Sequence, residues 1–153
     1  MQSKQLVRTQ TFPPQYSLEQ IFAFFSDAGN LQAITPANLQ FQFLTPLPVT
    51  MQPGALIDYR IRIHGVLVRW RTRIDIWEPP YRFVDSQIKG PYKVWRHEHL
   101  FEAGPQGVRM TDSVTYHPGW GPLAGLICAL YVTPQVERIF DYRLQKLAGL
   151  FAD

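Results

Sequence analysis

The sequence predicts an α+β protein: a curved antiparallel sheet of about seven strands wrapped around a long C-terminal helix, with two short helices after the first strand. Three observations carry this. Between residues 39 and 117, apolar and polar residues alternate with a period of two, broken by turn residues, as half-buried antiparallel strands require. Near the start, Ser17-Leu-Glu-Gln20 has the form of a capping box and opens a stretch with Leu18, Ile21, Phe22 and Phe25 on one helical face. At the end, Val136, Ile139, Phe140, Leu144, Leu147 and Phe151 form a single apolar stripe at helical spacing. A sheet with one apolar face needs a cover, and this stripe supplies it.

In order, residues 3–12 read as a first strand, ended by Phe12-Pro13-Pro14. The capped helix follows and stops at Gly29; Asn30 to Pro36 adds one short helical turn. Leu39, Phe41 and Phe43 alternate with Gln40 and Gln42 and predict a strand. Pro46, Pro48 and Pro53-Gly54 mark a loop. Ile57, Tyr59, Ile61 and Ile63 then face one way, and beyond His64-Gly65 the parity flips to Val66, Val68, Trp70, Thr72, Ile74 and Ile76. A two-residue turn at His64-Gly65 predicts that flip and pairs Tyr59 with Trp70 and Asp58 with Arg71. After Glu78-Pro-Pro80 come Phe83, Asp85 and Gln87 on one face; after Gly90-Pro91 come Trp95, His97, His99 and Phe101. The last strand starts near Gly107 and presents Met110, Asp112, Val114 and Tyr116. If residues 101 and 108 flank the loop as a pair, His97 lies opposite Asp112; a shift of two places His99 there. Leu123, Leu126, Ile127 and Leu130 continue at helical spacing. Thr133-Pro134 reads either as the cap of a new helix or as a kink in one long one.

With 153 residues, 46% of them hydrophobic, the chain has the size of one domain, spanning 1–153, with material for a sizeable core. The first residues form no apolar run, and Cys128 is the only cysteine, which favours the cytosol. Cys128 itself reads as a small buried hydrophobe. No residue between Asp112 and Glu137 carries a formal charge, but the apolar core of that stretch, Leu123 to Val132, falls well short of the ~20 residues of a spanning helix. Transient contact with a membrane surface stays open; oligomeric state is not legible. The net charge is +3, with Arg60, Arg62, Arg69, Arg71 and Arg73 bunched together. They alternate with apolar residues, as on the outer face of a half-buried sheet, so no nucleic-acid partner is expected.

The strand parities put Tyr59, Trp70, Thr72, Phe83, Asp85, Gln87, Trp95, His97, His99, Met110, Asp112 and Tyr116 on the inner face. Ionisable groups there cost several kcal/mol unless paired or wet. Asp85, His97, His99 and Asp112 fall on neighbouring strands, where Asp–His pairs can form. His64 and His117 sit at strand ends and read as turn residues. Arg143, one turn beyond Ile139, either reaches an acidic partner or lies at the surface.

The stretches Asn30-Leu-x-x-Ile-Thr-Pro36, Ile57-Asp-Tyr59, Trp70-Arg71, Phe83-Val-Asp-x-Gln87, Gly90-Pro-Tyr92, Trp95-x-His-x-His99, Thr111-Asp112 and Ile139-Phe-Asp-Tyr-Arg143, in this element order, resemble the helix-grip fold of the START, Bet v 1 and polyketide cyclase (SRPBCC) superfamily. The nearest likeness is to a bacterial subfamily of stand-alone ligand-binding domains, mostly of unknown function. The resemblance covers essentially the whole chain. It implies a deep cavity between sheet and long helix, of the kind used for lipids, sterols, polyketides or quinones.

The inner-face polar residues then have three uses. They form a structural network; or they orient the polar head of a small hydrophobic ligand whose body is held by Tyr59, Trp70, Thr72, Phe83, Gln87, Trp95 and Tyr116; or they catalyse. In the last case His97 or His99 acts as general base, held by Asp112 or Asp85, for a cyclisation or dehydration. A metal on His97, His99 and Asp112 is a weaker alternative, since a lone His-x-His with no glutamate base is poor evidence; no metal and no cofactor are expected. The sequence holds no Gly-x-Ser-x-Gly, phosphate loop or dinucleotide fingerprint. The leading expectation is a binding or carrier protein, the first alternative a cyclase or dehydratase, and the second a domain that modulates a partner protein without a small ligand.

Overall fold

A computed structural model describes residues 1–119 and 121–152. Strand β1 (Lys4–Thr11) is followed by α1 (Leu18–Ser26) and a 3-10 segment, Ala28–Ile34. Then come β2 (Gln42–Phe43), β3 (Leu56–Ile63), β4 (Val66–Glu78), β5 (Arg82–Lys89), β6 (Val94–Gly104) and β7 (Gly107–His117). The chain ends in α2 (Ala124–Ile127), a π-helical turn over Cys128–Val132, and α3 (Thr133–Leu150). The strands form one antiparallel sheet in the order β1-β7-β6-β5-β4-β3-β2. This is the helix-grip arrangement: seven curved strands around a long C-terminal helix.

The capping box forms as its residues dictate. The Gln20 amide donates to Ser17 Oγ at 3.1 Å, and the Ser17 amide donates to Gln20 Oε1 at 2.8 Å. Ile21, Phe22 and Phe25 are buried against Phe12, Phe83, Phe101 and Met110. Removing this cap by Ser17→Ala is expected to lower stability by about 1 kcal/mol in urea unfolding, with the slope unchanged.

The β3–β4 hairpin follows the predicted register, Ile63↔Val66, Tyr59↔Trp70 and Asp58↔Arg71. His64 and Gly65 both have positive φ, 49° and 78°, the tight-turn conformation that suits the twist of the strands. Across the outer face Arg71 grips Asp58 with both arms of its guanidinium, at 2.7 and 3.0 Å.

Two expectations are corrected, and two alternatives left open by the sequence are decided. First, the strand expected from Leu39 shrinks to Gln42–Phe43. A 3-10 turn covers Ala37–Leu39, and Gln40 adopts a left-handed conformation (φ 48°) that breaks the extended run. Leu39 and Phe41 are buried all the same. Second, a bulge between Ile74 and Ile76 leaves Asp75 as an extra residue, so Trp77 pairs with Phe83 and packs on Phe22, while Ile76 leaves the inner row. Third, of the two β6–β7 registers the shifted one occurs: Ala103↔Val108 and His99↔Asp112. The loop tightens to Pro105-Gln106 because Gly107 takes a φ of 121°; a side chain there would also collide with the Phe12 carbonyl. Fourth, of the two readings of Thr133-Pro134, the one long, locally irregular helix occurs. Thr133 is itself helical (φ −58°), and the run passes through it. Pro134 has no N–H to give the previous turn, and the ladder widens into the π-helical turn just before it.

Along α3, Val136, Phe140, Arg143 and Leu147 face the sheet. Farther back Ala124 and Cys128 are buried, but Leu123, Leu126 and Leu130 are exposed.

Candidate functional site

Between the inner face of the sheet, α3 and the 3-10 segment lies a cavity of about 180 Å³. Aliphatic and aromatic side chains make most of its wall: Leu31, Ile34, Phe41, Ile61, Trp70 and Ile139 among them. Asp85, His97, His99 and Arg143 supply charge or hydrogen bonds on one side.

Of the residues expected to meet a ligand, Tyr59, Trp70, Thr72, Phe83, Asp85, Trp95, His97 and His99 line this cavity. Three do not. Gln87 clamps the backbone of Tyr92, donating to its carbonyl at 2.7 Å and accepting from its amide at 3.0 Å, and so fixes the Gly90-Pro91 corner. Tyr116 shares a hydrogen bond of 2.8 Å with Thr133 and ties β7 to the helix. Asp112 lies behind the histidines, 1% exposed.

The polar group is ordered by its strands. His97 and His99 are two apart on β6, so both project inward, and their rings stack 3.7 Å apart at 27°. Phe83, paired with His99 across β5–β6, stacks on the other side of that ring at 3.9 Å. His99 is thus held as the middle layer of three rings. Its Nε2 meets Asp85 Oδ2 at 2.7 Å, and its Nδ1 lies 3.5 Å from Asp112 Oδ1. His97 Nε2 bonds Asp112 Oδ1 at 2.7 Å, although the backbone register sets His99, not His97, opposite Asp112. The imidazole reaches the carboxylate diagonally, a distance long side chains can span.

Arg143 completes the group. It is buried, with Nη2 3.5 Å from Asp112 Oδ1 and its guanidinium against the rings of Phe25 and Phe140, 5.4 and 5.6 Å from their centroids. Its place on the buried stripe, three after Phe140 and four before Leu147, was the signal: it is the one charged residue on that face. Spacing alone does not distinguish a buried charge from one at the rim, so the stripe by itself does not fix the role of Arg143.

The charges sort themselves by environment. Burial pushes the Asp85 carboxyl up to about 6, against the pull of His97 and Arg143. Burial likewise holds His99 neutral, well below the ordinary imidazole value, with His97 acting in the same direction. For Asp112 burial again favours the protonated form, but Arg143 and the His97 hydrogen bond outweigh it and keep the carboxyl ionised below the usual range. One acid therefore stays charged and the other titrates near neutrality, with His99 between them.

Asp85, His97 and His99 present ligand atoms within 4.8 Å of one another, the one such set among the described residues that could hold a metal. Near-parallel stacked imidazoles direct their in-plane lone pairs side by side rather than at one point, so this arrangement fits an ion poorly. Four buried polar atoms around the site have no hydrogen-bond partner among the described residues: Trp70 Nε1, His99 Nδ1, Asp112 Oδ2 and Arg143 Nε.

A curved sheet gripping a long helix, with a cavity between them, defines the helix-grip class of ligand-binding domain. The chain belongs to the polyketide cyclase / dehydrase and lipid transport family, whose pattern matches residues 14–144, and with it to the SRPBCC superfamily. No curated protein matches the sequence. Among solved structures it is similar to a Thermus thermophilus protein (14% identity, 97% of this chain and 100% of that one, TM-score 0.71). It is similar to a Chromobacterium violaceum protein (12% identity, 98% and 99% covered, TM-score 0.72). It is also similar to major latex-like protein 151 of Panax ginseng (12% identity, both chains fully covered, TM-score 0.66). At these identities the likeness establishes the fold.

Proposed function

We propose that the chain binds a small hydrophobic molecule of the lipid, polyketide or quinone kind, with an oxygen-bearing head against the Asp85–His99–Arg143 side of the cavity. One observation carries this: an apolar cavity of about 180 Å³ ends on a cluster of buried polar groups. Leaving such groups unpaired costs about 1–3 kcal/mol each. A ligand carbonyl or hydroxyl oxygen accepting from Trp70 Nε1 or Arg143 Nε removes part of that cost.

Native mass spectrometry of gently purified protein tests the reading. A reproducible adduct of a hydrophobic molecule is expected, released on denaturation. Ile139→Trp, which fills the cavity from the helix side, is expected to abolish the adduct and leave the folded circular-dichroism spectrum intact. Protein that is always empty and takes up no hydrophobic probe would sink the idea, and an ion at unit stoichiometry would replace it with a metal site.

A second reading, acid–base catalysis of a cyclisation or dehydration, is favoured by the Asp85–His99 pair. A proton on Asp85 near pH 6 lets His99 switch tautomer, with Nδ1–H towards Asp112, so the pair can take a proton at one end and release it at the other. In that case His99→Ala abolishes turnover and spares ligand loading. Equal loss of both marks the pair as structural.

A further inference from the structure

We propose that the end of the molecule formed by the β3–β4 hairpin tip and the start of the C-terminal helix docks on an anionic lipid bilayer. The proposal does not depend on what the cavity holds.

Leu123, Leu126, Leu130 and Tyr131 are each more than half exposed, although they sit on a helix whose other face, through Ala124 and Cys128, is buried. At the hairpin tip Val66 is also more than half exposed, and Leu67 nearly so. The two sets belong to one patch, because the His64 ring lies 6.4 Å from the Tyr131 ring. A contiguous exposed apolar surface of this kind marks an interaction site. No formal charge interrupts the chain from residue 113 to 136, so the helix can lie flat against an apolar layer without burying an ion.

Charge decides the kind of partner. Arg60, Arg62 and Arg69 stand on the outer face of the same hairpin, and among the described residues none has a carboxylate within ion-pair distance. Arg60 and Arg69 are directly opposite in register, an arrangement that costs stability unless something anionic meets them. Arg60 and Arg62 are held by neutral groups, Gln42 for the first and Gln40 and the Gly65 carbonyl for the second. An apolar patch rimmed by unneutralised arginines matches acyl chains beneath anionic headgroups. A second copy fits less well, since two-fold pairing would set these arginines against one another. By length and composition Gly121–Leu150 could also cross a bilayer. Its buried residues Val136, Phe140 and Leu147 hold it on the sheet, and an interfacial position keeps them there.

The test is co-sedimentation of the full chain with vesicles of equimolar phosphatidylcholine and phosphatidylglycerol, and with phosphatidylcholine alone. Binding to the anionic vesicles is expected, roughly tenfold or more above the neutral ones, and falling as salt rises. Leu126→Asp with Leu130→Asp is expected to cut it at least about tenfold without moving the melting temperature, since both residues are exposed. Arg62→Ser with Arg69→Ser, on the outer face of the hairpin beside Leu67, is expected to erase the preference for anionic lipid and needs no change in the helix. No binding to either vesicle overturns the proposal. So does binding that both double variants leave unchanged. A dimer in sedimentation velocity that the leucine substitutions dissociate, without vesicle binding, assigns the patch to a second copy instead.

Discussion

Replacing Asp112 with asparagine is expected to destabilise the protein by about 3–5 kcal/mol, because it strands the buried Arg143 guanidinium. Asp112 is the one fully ionised carboxylate in that part of the interior, and it answers both His97 at 2.7 Å and Arg143 at 3.5 Å. Asparagine keeps the shape and one oxygen acceptor but removes the charge. Arg143 cannot shed its proton, so its desolvation is left uncompensated. The double variant Asp112→Asn with Arg143→Met removes both charges and is expected to recover most of the loss, since an apolar side chain suits the contacts with Phe25 and Phe140. Urea unfolding of the two single variants and the double closes the cycle. A loss below about 1 kcal/mol for Asp112→Asn would mean that water reaches Arg143 and that the group is not a sealed ion pair.

The second large effect lies in the response to acid. In the unfolded chain His99 takes up a proton near pH 6.5, whereas folded it stays neutral, so on its own it would weaken the fold as pH drops below 6.5. Asp85 acts in the opposite sense. Its folded carboxyl takes a proton at about 6 and its unfolded one only near 3.8, so protonation strengthens the fold as pH falls through that window. The pair therefore offsets itself, and stability is expected to be nearly flat between about pH 6.5 and 4. Below that, the unfolded chain gains protons on Asp85 and Asp112 while folded Asp112 stays ionised, and stability drops steeply. Asp85→Asn removes the compensation. Its stability is expected to fall from pH 6.5 downward, with a slope of up to about 1.4 kcal/mol per pH unit. Denaturant unfolding at a series of pH values reads this directly; profiles for variant and parent that run parallel from pH 7 to 5 would refute the offset.

Much of the fold was legible because alternation and turn chemistry agree. At His64-Gly65 the turn length forces a parity flip, and the apolar residues flip where it requires. The β6–β7 partner was not legible for a physical reason: a slip of two residues keeps every side chain on its own face, so the pattern permits either register. The bulge at Asp75 was hidden for the converse reason, since one extra residue changes parity without altering composition. Helical spacing placed Leu123, Leu126 and Leu130 on a common side but could not say that the side faces outward, for no charged residue marks the opposite one. At the site, the pattern identified the residues that face inward. It could not show that Gln87 and Tyr116 spend their hydrogen bonds on backbone and helix, or that the diagonal His97–Asp112 bond forms across the register.

The ends of the sheet govern whether it can grow. One edge is β2, two residues long, which pairs only with Tyr59 and Arg60. The other is β1, carrying Lys4 and Arg8 and stopped by Phe12-Pro13-Pro14. Arg8 and Gln10 reach across to Asp141 and Leu144 of α3. At one border the strand is too short to template another, and at the other Lys4, Arg8, the side-chain bridges to α3 and the proline stop discourage pairing. A concave, aromatic-lined sheet would otherwise be a good seed for fibrils; here a stunted strand at one border and a charged, proline-stopped one at the other work against strand addition.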